Sequence, residues 1–70
     1  MQLLKIKLNG EDKIYTQTDI TISEILEKEQ ISQQGIAIAL NHVLVPKDKI
    51  LSVKLRMSDE IEIVTPFEGG

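Results

Sequence analysis

Seventy residues and 7.9 kDa are enough for one domain whose single core is only marginally sufficient. The absence of cysteine excludes disulfides, thiolate metal sites and a cysteine nucleophile, and with His42 as the sole histidine, triad chemistry is remote. A formal charge of -3 with one Tyr, one Phe and no Trp argues against nucleic acid, and the longest apolar run, Ile36 to Leu40, is far short of a membrane span.

Leu4, Ile6 and Leu8 alternate with Lys5 and Lys7, the period of a strand with one buried and one wet face. Asn9-Gly10 follows, a pair suited to the positive φ values of a type I′ hairpin turn, and predicts a second strand from Asp12 to Thr16 with Ile14 inward. Thr21-Ile22-Ser23-Glu24 has the form of a capping box, with Ile20 and Ile25 placed as a hydrophobic staple. The short helix it opens runs to Glu29 or Gln30, burying Ile22, Ile25 and Leu26 and showing Glu24, Glu27 and Lys28 to water.

Ser32 to Gly35 reads as a loop before a third strand over Ile36 to Asn41. Periodicity alone does not separate strand from helix there, but the β-branched isoleucines and the preceding Gly favour strand. Asn41-His42 is a turn, with His42 a turn residue rather than a catalytic one. A short Val43 to Val45 strand then ends at Pro46, which lacks an amide donor. Lys47 to Met57 has no clean period, although Ile50, Leu51, Val53 and Leu55 are available to a core. Ser58-Asp59 turns into a last strand, Glu60 to Val64, with Ile61 and Ile63 alternating with glutamates. The elements make an α+β protein, a mixed four- to five-stranded sheet packed on one helix.

Residues 1–64 are thus expected to form the domain and residues 65–70 a flexible C-terminal tail. Pro66 ends strand pairing, and Gly69-Gly70 have no side chains to pack. With no catalytic or metal-ligating constellation elsewhere, the carboxylate of Gly70 is the best reactive group, presented by Gly69. A frayed domain end or an added sequence is the plain alternative. Phe67, the only Phe, either docks in a partner or folds back on the sheet, and Glu68 either meets a basic channel or is a solvated tail charge.

Together, Ile6 to Glu11, Thr21 to Leu26, Gly35 to Asn41, Val45-Pro46-Lys47, Asp59 to Val64 and the terminal Gly69-Gly70 resemble the ThiS family, the sulfur carriers of thiamine biosynthesis, in register from the first strand to the last residue. Lys47, where many relatives show Arg, and Ile50 or Leu51, near a place often held by Trp, depart from the pattern without touching the tail. The resemblance implies a ubiquitin-like β-grasp fold whose Gly70 is adenylated and converted to a thiocarboxylate. It implies a protein co-substrate rather than an enzyme. Its partners would be a ThiF-like adenylating enzyme that consumes ATP with Mg²⁺, a sulfur-donor persulfide protein and a ThiG-like thiazole synthase. No cofactor is expected on the chain itself, which should be cytoplasmic and monomeric alone.

Three other readings remain at this point. One is the small subunit of molybdopterin synthase, and another is a ubiquitin-like modifier joined to lysines through Gly70. The third is a binding module with an inert tail. Hydrolysis by Glu60 and Glu62 is set aside because both occupy the wet face of a strand, where glutamates are mostly solubilising.

Overall fold

The computed structural model describes residues 3–64. The chain forms β1 (Leu4–Leu8), β2 (Glu11–Tyr15), α1 (Ile22–Lys28), β3 (Ala37–Leu40), β4 (Val43–Leu44), a 3-10 turn (Lys47–Lys49) and β5 (Glu60–Val64). The five strands make one mixed sheet in the order β2-β1-β5-β3-β4. Every neighbouring pair is antiparallel except β1 and β5. The helix crosses one face, and Leu4, Ile6, Leu8, Ile38 and Ile61 from the sheet share a core with Ile20, Ile22, Ile25, Leu26, Ile50 and Leu55.

Both hairpins turn on an asparagine. Asn9 (φ 51) and Gly10 (φ 85) join β1 to β2, and Asn41 (φ 51) and His42 (φ 70) join β3 to β4, so each two-residue loop has positive φ throughout, as a type I′ turn requires. The first turn fixes a register that corrects one expectation. It sets Leu8 opposite Glu11, hence Ile6 opposite Lys13 and Leu4 opposite Tyr15. Directly paired residues share a face, so Lys13 and Tyr15 lie over the core side while Ile14 stands beside Lys5 on the other, 60% exposed.

Those two side chains close the core at the β2 edge. Tyr15 donates its hydroxyl to Glu29 Oε2 at 2.8 Å, and Lys13 Nζ lies 3.4 Å from Glu29 Oε1. Burial, reinforced by the Glu29 hydrogen bond and charge, pushes the Tyr15 hydroxyl up to about 12. The Tyr15 hydrogen bond, with help from Lys13, holds the Glu29 carboxyl below its ordinary value.

The helix is short, yet hydrogen bonds hold both of its ends. At the start, Glu24 N–H donates to Thr21 Oγ1 while Glu24 Oε1 accepts from Thr21 N–H, the expected capping box. The first two helical amides donate to the stretch that carried no sequence period: Ile22 to the Val53 carbonyl and Ser23 to the Ile50 carbonyl, each at 3.2 Å. Leu55 N–H returns a bond to Ile20 at 2.8 Å, and Thr21 bridges Lys54. Residues 50–55 are therefore shaped by the helix start they cover.

The 3-10 turn was not expected, and it has a consequence for Leu51. Ile50 takes the core position, whereas Leu51, the next residue along a helical turn, is carried round to solvent and is 72% exposed. At the other end of α1, Gln30 N–H donates to the Glu27 carbonyl and Ile31 N–H to the Leu26 carbonyl. That is a Schellman closure, and it places Gln30 at φ 59 where glycine is usual.

Two outcomes follow from these contacts. Replacing Gln30 with Gly removes the left-handed strain of a side-chain-bearing residue at the cost of some chain entropy, so Gln30→Gly should raise stability by about 0.5–1 kcal/mol, read from the urea midpoint. Tyr15, the only tyrosine, should stay protonated in the fold while an unfolded chain ionises near 10. Its contribution to stability is then complete below pH 10 and lost as the pH climbs from 10 towards 12. Tyrosinate absorbance followed against a Glu29→Gln variant checks this, with the variant expected to ionise at lower pH.

Candidate functional site

Gly70, Gly69, Phe67 and Glu68, the residues singled out from the sequence, lie outside the described residues. What the structure describes is the platform from which they follow. β5 is interior to the sheet, with β1 on one side and β3 on the other, and its last residue, Val64, is paired with Ala37 of β3.

Two asparagines hold β5 at opposite ends. Near its start, Asn41 N–H donates to the Glu60 carbonyl, and Glu60 N–H donates to Asn41 Oδ1 at 2.9 Å. The Asn41 side-chain amide also donates to Asp59 Oδ1, while Asp59 Oδ2 accepts from Arg56 N–H. Near its end, Ile63 N–H donates to Asn9 Oδ1 at 2.8 Å. The sequence marked both asparagines as turn formers and missed this second use. Its signal is an asparagine ending a strand that abuts another strand's unpaired amides.

The face of the sheet turned away from the helix follows from the registers. Ala39 pairs with both Leu44 and Glu62, and Ala37 pairs with Val64, so these side chains share that face. Leu44 and Val64 are 70% and 55% exposed, and the alanines between them leave a low apolar surface beside the last described residue of β5. Acidic groups border it. His42 in the neighbouring turn approaches them, with Nε2 3.4 Å from Glu60 Oε1 and Nδ1 3.5 Å from Glu62 Oε1. Glu60 and Glu62 stand on the wet face, as the alternation indicated, and His42 is a turn residue.

Among the described residues no charged or polar side chain is buried, no buried polar side-chain atom lacks a partner, and no group of three or more His, Asp or Glu is arranged to hold a metal ion. The acids and the imidazole on the outer face are solvated. No helix among the described residues is long and apolar enough to cross a membrane.

Comparison with known proteins places this geometry. No curated protein matches the chain. Among solved structures, the crystal structure of a thiamine biosynthesis protein (ThiS) from Geobacter metallireducens is similar with a TM-score of 0.82 and 17% sequence identity, over 96% of this chain and 99% of that one. At that identity the likeness establishes the architecture, a ubiquitin-like β-grasp. The ThiS family model matches residues 6–70, from within β1 through both terminal glycines. By that match over nearly its whole length, the chain belongs to the ThiS family.

Proposed function

We propose that this protein is a sulfur carrier of thiamine biosynthesis that acts as a protein co-substrate, with Gly70 as the group that is modified. The observation that carries this reading is the family match, which runs to the terminal Gly69-Gly70. The residues supply a chemical rationale. An α-carboxylate has a pKa near ~3.5, so at neutral pH it is an anion and a poor electrophile. Joining it to the AMP part of ATP releases pyrophosphate and gives the acyl carbon a leaving group. A persulfide sulfur then attacks that carbon and AMP departs. A second thiol, from a partner since this chain has no cysteine, then attacks the donor-side sulfur. The sulfur–sulfur bond breaks to leave the thiocarboxylate on Gly70 and a disulfide between the two thiols, and the thiocarboxylate hands its sulfur to thiazole formation.

Stabilising displacement at phosphorus calls for cationic donors and Mg²⁺. Both belong to a ThiF-like adenylating partner in this reading. A persulfide protein supplies the sulfur and a ThiG-like thiazole synthase receives it. The carrier's part is steric, since residues 69 and 70 have no Cβ and admit the backbone to a narrow nucleotide site. Phe67 and Glu68 would dock the tail in the partner, and the apolar face of Ala37, Ala39, Leu44 and Val64 would dock the domain, its acidic border meeting basic residues.

Intact-mass analysis after incubation with the adenylating enzyme, ATP and a sulfur source should show one sulfur-for-oxygen exchange confined to Gly70. Gly70→Ala should slow adenylation, and deletion of Gly70 should abolish it. Full ATP–pyrophosphate exchange with the deletion variant would defeat the mechanism.

The docking face has its own outcome. Leu44→Glu puts a charge on an exposed position, so the fold should keep its stability within about 0.5 kcal/mol. The KM for the carrier in adenylation should rise about tenfold or more. An unchanged KM would remove this face from the interface.

A further inference from the structure

An asparagine followed by glycine is open to attack by its own main chain, because a glycine nitrogen with no Cβ beside it can reach the side-chain carbonyl carbon. The chain holds two asparagines, each first in a two-residue turn of positive φ. Asn41 precedes His42, whose Cβ hinders such an approach, whereas Asn9 precedes Gly10. Both residues of the first turn are exposed, and a side chain added at Gly10 would meet no atom within 4 Å. Water and base therefore reach the Gly10 backbone.

The fold turns the Asn9 side chain the other way. β1 lies between β2 and β5, and Gly10 carries the chain from β1 towards β2. Asn9 Oδ1 reaches to the opposite side and accepts from Ile63 N–H of β5 at 2.8 Å. The backbone N–H of Asn9 donates to the Ile61 carbonyl at 2.9 Å, so main chain and side chain are both tied to β5. The carbon open to attack is thus drawn towards β5, while the attacking nitrogen belongs to the residue that leaves for β2.

We propose that Asn9 is the chain's chief site of spontaneous deamidation, and that its bond to Ile63 N–H is the latch that holds the reaction off in the fold. With the latch open, the Gly10 nitrogen gives its proton to base and attacks Cγ of Asn9. The bond from Cγ to the side-chain nitrogen breaks, ammonia leaves with a proton, and a cyclic succinimide joins the two residues. Water then opens the ring at one carbonyl or the other, giving aspartate or isoaspartate. Such an attack needs aligned atoms about 3–3.5 Å apart, which a side chain turned towards β5 does not offer. The two products differ in consequence. Aspartate keeps an oxygen for Ile63 N–H, whereas isoaspartate routes the main chain through Cβ and adds a backbone atom to the turn that sets Leu8 opposite Glu11.

Peptide mapping by mass at mildly alkaline pH follows both asparagines. In urea-unfolded wild type, Asn9 should convert at least about tenfold faster than Asn41. Folded wild type should convert Asn9 about tenfold or more slowly than the unfolded chain, and its Ile63 amide should be protected from solvent exchange at least about fivefold. A synthetic chain with an ester in place of the residue 63 amide keeps the Ile63 side chain but lacks the donor. Its folded form should lose Asn9 about two- to tenfold faster than folded wild type, the factor of one ordinary hydrogen bond.

An unfolded chain in which Asn9 is no faster than Asn41 overturns the site. Equal Asn9 rates in folded and unfolded wild type, an unprotected Ile63 amide, or a folded ester chain without acceleration overturns the latch. The wild-type measurements need no variant, so an ester chain that fails to fold leaves the proposal answerable to them.

Discussion

The parallel pairing of β1 with β5 is the constraint on which the rest of this structure depends. It joins the first strand to the last, through Lys7 N–H to the Asp59 carbonyl and Asn9 N–H to the Ile61 carbonyl, both at 2.9 Å, and Ser58 N–H to the Lys5 carbonyl at 2.8 Å. A parallel pair cannot be closed by a tight turn, so everything from Gly10 to Asp59 must pass across the sheet and return. The helix is that crossing. Its Ile22, Ile25 and Leu26 cover the strand residues Leu4, Ile6, Leu8 and Ile61, so the connection and the core are one solution. Because the pair closes the longest loop in the chain, its contacts reward folding only after the entropy of that closure has been met.

The second principle is completeness of hydrogen bonding in a very small domain. A seven-residue helix has as many unpaired terminal amides as a long one, and few tertiary contacts to compensate. Here Thr21, Ile50 and Val53 accept from the opening amides, and the Gln30–Ile31 closure returns amides to the final carbonyls. Asn9 and Asn41 do the same for β5 where its neighbours end. Side chains and irregular backbone thus finish what regular structure leaves undone, and this explains the order of 50–55 without a helix or strand of their own.

Local signals in the sequence carried most of this fold. The strand alternation in β1 and β5, both positive-φ turns and the capping box depend on neighbours within a few residues, and each stands where it was expected. The resemblance supplied the topology and the family, which the structure and the family match bear out. The orientation of Ile14 obeys the parity set by the turn and not its hydrophobicity, which alone would point it inward. Counting back from the turn pairs it with Lys5 and sends it outward. Leu51 and the 3-10 turn were missed because their conformation answers to the distant helix start, which no local period encodes. Of the candidate site, the outer face was legible only once the β3–β4 register placed Leu44 with Ala39, while the tail residues lie outside the described part of the chain.

An exposed apolar face raises a problem of self-association, on which the rims of the sheet bear. The β2 rim bears Glu11, Asp12 and Lys13 in succession, charges that penalise an incoming strand. The β4 rim is two residues long and is followed by Pro46, which has no amide to offer, and then by the 3-10 turn. A second copy meeting the β2 rim must desolvate these charges, and one meeting the β4 rim finds a ladder that ends almost at once. Rim-to-rim extension of the sheet is thereby penalised even though Leu44 and Val64 stand exposed on its face.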